Sequence, residues 1–200
     1  MYRAVLDTCV LVPSLQRDFV LQLATESAFM PQWSTGVLDE LQDVLERLDV
    51  RRGRSADTEK HRRLVMQMRR VFPGATIIAP REERFGYGLS DPHDEHVLHA
   101  ALMSEADAIV TDDRRSGFDS CRLVIDAGIE ILPTHAFIGN AVAAHREPAA
   151  RALLELFRRR TEPPSPTPSA LLERLCSHGD MAEVFELLRN LITEVDEPGC

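Results

Sequence analysis

Apolar runs of only a few residues, too short for helices, recur along this 200-residue chain and alternate with longer amphipathic stretches. The runs occupy residues 4–6, continuing through 10–12, then 75–79, 108–111 and 129–132. They are rich in Ile, Val and Leu and poor in charge, the pattern of strands covered on both faces within a parallel sheet. Between them, residues 14–29 place Leu15, Phe19, Leu23 and Ala24 at helical spacing, and 34–48 place Val37, Leu38, Leu41, Val44, Leu45 and Leu48. Residues 56–72 repeat the pattern with Leu64, Val65, Met68 and Phe72 before Pro73 and Gly74 end it. Pro92 suits the first turn of a helix over about 91–106, with Val97, Leu98, Ala101 and Leu102 inward. Strand and helix in alternation predict an α/β sandwich.

After residue 132 no strand signal returns. Residues 133–145 and 148–160 read as helices, and the stretch 161–169 carries four prolines, a stiff spacer by composition. Residues 170–176 and 180–192 predict a helical hairpin hinged near Gly179. Its apolar stripe of Leu171, Leu172, Leu175, Val184, Phe185, Leu188 and Leu191 needs cover from the main domain, a second copy or a partner.

The 44% hydrophobic content is enough for a core without staples. Cys9, Cys121, Cys176 and Cys200 form no CxxC pair, which excludes a zinc knuckle or dithiol redox motif and fits free thiols in a reducing compartment. No run approaches the roughly 20 apolar residues of a bilayer span, and MYRAVLDTCV lacks the apolar core of a secretory leader. The expectation is a cytoplasmic protein with no membrane partner.

Carboxylates follow the apolar runs. Asp7 ends the first, Asp112 and Asp113 follow the third, Asp91 and Asp94 open the helix near 91–106, and Glu40 lies one turn into its own. In a parallel sheet, ligands collect at the carboxyl ends of the strands, so Asp7, Asp112 and Asp113 share an edge if their strands are neighbours. Acids brought together this way repel one another unless a hard cation offsets the charge. The formal net charge is −9, yet residues 47–70 hold nine basic residues against three acidic ones, and Arg158, Arg159 and Arg160 form a second cluster. Arg51, Arg52, Arg54, Arg62 and Arg63 are candidates for bidentate contacts with nucleic-acid phosphates, with a solvated helix face as the plainer reading.

Other chemistries fit less well. His93, His96 and His99 invite zinc, but the order is not HExxH and no cysteine is close. A receiver-type module wants a lysine after a later strand, and Lys60 is the chain's only lysine. A haloacid-dehalogenase-type phosphatase wants an acid where Cys9 stands.

The motifs carry a family resemblance. Asp7 followed by Thr8 and an aliphatic run, Ser34 six residues before Glu40, Asp94 three residues before Val97 in an Ala-rich helix, and IVTDD before Phe118 resemble, in order and spacing, the four acidic motifs of the PIN-domain nucleases. The third motif, SDPHDEHVLHAA, resembles that of bacterial toxins of the VapC class, some of which carry a C-terminal helical extension. The likeness covers about residues 3–140.

It implies a PIN-like three-layer sandwich, a central parallel sheet of four to five strands flanked by helices, over residues 1–140. A helical extension at 141–160, the linker at 161–169 and a helical hairpin at 170–200 would follow. It implies that Asp7, Glu40, Asp94 and Asp113 are the catalytic quartet. Asp7, Asp94 and Asp113 would hold Mg2+ or Mn2+, with Asp91 and Asp112 as secondary ligands and Thr111 and Ser34 as auxiliaries. Asp113 ranks before Asp112 because in the family the acid stands two places after the Thr. The implied activity is metal-dependent endoribonuclease cleavage of RNA, as the toxin of a VapBC-type pair. The implied partners are the RNA substrate, a VapB-type antitoxin and a second copy in a homodimer. The alternative is a catalytically inactive PIN-like module that binds nucleic acid or protein.

Overall fold

The computed structural model describes residues 1–160, 167–177 and 182–196. Most of the proline-rich spacer, Gly179 and Cys200 lie outside the described residues. In chain order the first elements are β1 (Arg3–Leu6), α1 (Thr8–Leu11), α2 (Ser14–Thr25), β2 (Met30–Ser34), α3 (Thr35–Arg51), α4 (Thr58–Val71) and β3 (Thr76–Ile77). Then come α5 (Glu95–Met103), β4 (Ala108–Val110), α6 (Arg122–Ala127), β5 (Glu130–Leu132), α7 (Thr134–Ala144), α8 (Arg146–Arg158), α9 (Pro168–Leu175) and α10 (Ala182–Asp196). They fall into two compact units, Met1–Val12 with Met30–Leu132, and Pro13–Phe29 with the described part of Pro133–Cys200.

The first unit is a five-stranded, wholly parallel sheet in the order β3-β2-β1-β4-β5, flanked by helices. This is the α/β sandwich expected from the sequence. The chain winds outward from β1 through β2 to β3, then returns to lay β4 on the other side of β1. The strand order therefore reverses between β1 and β4, where Leu6 pairs with Val110. Such a reversal leaves a crevice at the carboxyl ends of the two strands. Ala4, Val5, Leu6, Ala108, Ile109 and Val110 are all fully buried, as strands of a doubly covered sheet must be.

Two local expectations need correction. Residues 10–12 do not extend the first strand. Asp7 instead caps a one-turn helix, its side chain accepting from Thr8 N, so the chain leaves the sheet at the first acid. The second correction is β2, whose sequence MPQWS carries Pro and Gln and has no strand pattern. The amides of Met30 and Trp33 donate to Tyr2 O on one side and Ala75 O on the other. Alternation along the strand thus turns the Pro31 nitrogen toward β3, short of where that two-residue strand begins, and the missing N–H costs no ladder bond. Burial of Trp33 holds this strand in place: its ring is fully enclosed, its Nε1 donates to Thr76 Oγ1 at 2.9 Å, and Phe72 meets it edge-on.

Ser34 starts α3 by accepting the Val37 amide at 2.8 Å. Val37, Leu38 and Leu41 then turn inward, which leaves Glu40 half-buried on the flank of the same helix. Asp57 starts α4, and a 2.8 Å bond between Asp49 and His61, both buried, ties α3 to α4. Helix α5 packs against β1, β2 and β4 and buries residues on most of its circumference, including Glu95, His96, Val97 and Leu98. Gly36 permits this, because a Cβ there would stand 2.9 Å from both Arg81 N and His96 Cγ.

The second unit is helical. Helices α2, α7, α8, α9 and α10 share a core that includes Phe19, Leu23, Ile138, Leu153, Leu171 and Leu188, with Phe29 edge-on to Phe137. Six of the seven residues in the hairpin stripe are buried within this unit, α10 lying against α7 and α8, and Phe185 is half-buried. No helix among the described residues is long and apolar enough to cross a membrane.

Candidate functional site

The first acid leaves the sheet at the strand-order reversal. Asp7 N donates to Val110 O at 3.1 Å, so Asp7 sits at the carboxyl end of β1 beside the end of β4. There Thr111 Oγ1 donates to Asp7 Oδ2 at 2.6 Å, and Thr8 N donates to Oδ1 at 2.6 Å. The thiol of Cys9 lies 3.3 Å from Oδ2 and completes the enclosure. Asp7 is buried. Burial pushes its carboxyl up, the bonds from Thr111, Cys9 and Thr8 pull it down, and the charge of Glu40 adds to the rise.

Glu40 is brought in by the neighbour of Asp7. Thr8 Oγ1 donates to Glu40 Oε2 at 2.7 Å, linking the start of α1 to α3. On the far side, Asp113 N donates to Thr111 Oγ1 at 3.0 Å, and Asp113 Oδ1 accepts from Arg115 N at 2.8 Å. Asp113 is half-buried, while Asp112 is exposed and uses its amide on Cys9 Sγ at 3.2 Å. Cys9, Asp112, Asp113, Arg114 and Arg115 line an open cavity of about 430 Å³.

Asp94 ends a 3₁₀ turn over Pro92–Asp94 that Asp91 caps by accepting from His93 N. Its Oδ2 is buried with no hydrogen-bond partner. Burial first, then the charges of Asp7, Asp91, Asp113 and Glu40, push its carboxyl up to about 7. Five acids from four separate segments therefore share one electrostatic neighbourhood. Two carboxylates so placed cannot both ionise freely without a compensating charge.

A family model for the PIN domain matches residues 3–115, more than half of the chain. The protein belongs to the PIN-domain family. PIN domains form a nuclease superfamily, and the match spans Asp7, Glu40, Asp91, Asp94, Asp112 and Asp113. No curated protein and no solved structure matches the chain. Among the described residues, no three His, Cys, Asp or Glu groups are already placed around one point as a metal cage.

Other residues singled out from the sequence stand apart from the acids of this PIN domain. Ser34 spends its hydroxyl on capping α3 and on His96 Nδ1 at 2.7 Å. Burial lowers the His96 pKa to about 4, so the ring that Ser34 meets is neutral. The three histidines do not share a surface: His93 is exposed, His96 buried and His99 half-buried. Phe118 is buried. Arg51, Arg52, Arg54, Arg62 and Arg63 are all exposed around the α3–α4 connection, with Arg62 paired to Glu59.

Cys9 and Glu95 were not anticipated. Burial and the Asp7 charge push the Cys9 thiol up to about 12, so it stays protonated as a hydrogen-bond donor. Only its position two residues after Asp7 could have flagged it. Glu95 accepts four backbone amides, from Phe85, Gly86, Tyr87 and Gly88. An acid beside Asp94 facing a glycine-rich FGYG stretch was the available signal.

Proposed function

We propose that this PIN-domain protein is a Mg2+- or Mn2+-dependent endoribonuclease and the toxin of a VapBC-type pair. The observation that carries this reading is the buried, unpartnered oxygen of Asp94 in the field of four other acids. A fold does not retain such a group for stability, because an unpaired buried carboxylate oxygen is costly. The donor set is all oxygen and suits a hard cation. Mg2+ binds through one or two carboxylates and keeps several waters, so it does not need a closed protein cage.

Asp94, Asp7 and Asp113 would hold the ion, with Asp91 and Asp112 at the margin. When bound, the cation lowers the pKa of a coordinated water and offsets charge on the scissile phosphate. The protein's own part is positioning. Thr111 and the Thr8 amide fix both oxygens of Asp7, Thr8 Oγ1 fixes Glu40, and Glu40 orients the attacking water. The exposed arginines between α3 and α4 hold the RNA backbone at a distance from the cut. A VapB-type antitoxin would cover the acidic crevice with a basic tail, and the toxin itself would act as a homodimer in the cytoplasm.

The test is cleavage of total RNA with Mg2+ or Mn2+, with EDTA, and with the Asp7→Asn and Asp94→Asn variants, each checked for native circular dichroism. Cation-dependent cleavage lost in both variants supports the hydrolase. Full activity in Asp7→Asn refutes the assignment. Folded wild-type protein that binds RNA without cutting it supports the inactive PIN-like module. Growth arrest on expression, relieved by a small basic-tailed protein encoded alongside, tests the toxin role.

A further inference from the structure

Three rings stand together beside the acidic site. Tyr87 Oη and His99 Nδ1 are 2.7 Å apart, with ring planes 14° from parallel and centroids at 6.1 Å, so the two rings lie side by side in one layer joined by an in-plane hydrogen bond. Phe85 lies over His99 at 4.1 Å and 21°, and is 5.7 Å and 13° from Tyr87. None of the three is fully enclosed. Gly86 and Gly88 flank Tyr87 at positive φ, and open space surrounds the position of a Cβ on each.

The rings are held by an unusual expenditure of polar groups. Both oxygens of buried Glu95 are saturated by successive amides of the same loop: Oε2 accepts from Phe85 and Gly86 at 2.8 and 3.0 Å, Oε1 from Tyr87 and Gly88 at 2.9 and 3.2 Å. A loop could bury its aromatic residues with far less. This one is fixed so that two rings remain partly in solvent.

Its location is specific. Glu95 follows Asp94 directly, and His99 is one helical turn beyond Glu95 on the same face of α5. The other end of the loop lies on the segment after Asp113: Asp91 N donates to Ser116 O at 3.3 Å, and Gly117 approaches Ser90 too closely to admit a Cβ. Exposed Arg84, which precedes Phe85, reaches Pro92 O and His93 Nδ1, and so sets a guanidinium on the turn that ends in Asp94.

We propose that Phe85, Tyr87 and His99 form a nucleobase-stacking subsite for an unpaired base of the RNA strand whose phosphate is presented to Asp94, with Arg84 on the adjoining backbone. The inference rests on the RNA-directed reading above and names the part of the strand that this PIN domain senses. Every base offers a π-face, so the subsite favours single-stranded over paired RNA more than one base over another.

The experiment uses the full chain in EDTA, where no cut is made, and short oligoribonucleotides carrying 2-aminopurine or an abasic residue at successive positions. Fluorescence should be quenched at one position, and an abasic residue there should weaken binding at least about 5-fold. Tyr87→Leu and Phe85→Leu should abolish the quench, while Tyr87→Phe retains most of it. Equal binding of abasic and intact strands at every position overturns the proposal, and so does quenching that survives both Leu variants. The abasic series on wild-type protein decides the matter even if a Leu variant misfolds. A localised quench without Mg2+-dependent cleavage would keep the subsite and remove the hydrolase. Normal cleavage without any localised quench would do the reverse.

Discussion

Thr111 donates to Asp7 across 104 residues of chain at 2.6 Å, and the same oxygen accepts the amide of Asp113. One hydroxyl thus orients two acids that arrive on different strands. Thr111→Val keeps the shape and removes both bonds. It should cost about 1.5–3 kcal/mol in chemical denaturation, the scale of a hydrogen bond to a charged group. It should also move the acid limb of the pH–rate profile upward, because the Asp7 carboxyl loses the bond that holds it down most. Thr111→Ser should restore most of both. A Val variant with unchanged stability and profile would show that the hydroxyl does not support Asp7.

The Asp94 carboxyl predicts a pH dependence of stability and of cation affinity. Its folded carboxyl titrates near 7, above its unfolded value, so without a cation its contribution to stability falls as pH rises from about 4 to about 7. Asp94→Asn should therefore raise the melting temperature in EDTA at pH 8, by roughly 2–4 °C for each kcal/mol recovered in a chain of this size. A cation displaces the proton, so affinity for Mn2+ should climb through neutrality. Calorimetry at pH 6 in buffers of different ionisation enthalpy should register protons released by wild type and fewer by the variant. Proton-silent binding would contradict the assignment.

The close packing of α3 on α5 gives a prediction independent of chemistry. Gly36→Ala forces its methyl against Arg81 N and His96, and should destabilise the fold by about 1–3 kcal/mol. Urea midpoints measure it. No loss would mean that the helix start moves freely.

The arginine segment predicts a salt signature. If Arg51, Arg52, Arg54 and Arg63 neutralise RNA phosphates, the slope of log K against log salt should flatten by about 0.7 for each contact removed. Glutamine variants titrated at several salt concentrations report this directly. A slope unchanged in the combined variant leaves these residues as a solvated surface.

How far the sequence discloses this arrangement depends on whether a residue acts locally. The runs around Val5 and Ile109 are legible because a strand covered on both faces has nowhere to put a charge. Asp7 and Asp113 are legible because each follows such a run. β2 was not, since the fit of Pro31 depends on where β3 begins, a tertiary fact. Nor was the short helix after Asp7, where the cap overrides an aliphatic pattern. Ser34 matched a motif position, yet whether its hydroxyl faces an acid or His96 depends on a side chain 62 residues away. Four amides converging on Glu95 leave almost no trace in a sequence, because backbone donors have no letter of their own. The grouping of 13–29 with the helices after 132 is likewise written only in contacts.

Pairing in the sheet sets a timetable for synthesis. β1 leaves the ribosome first, yet one of its two neighbours comes from residues 108–110. Until those residues have been made, that edge has no partner and the clustered acids do not exist as a cluster. The nascent chain therefore acquires its charge-dense crevice only after β4 has been made and the sheet closes.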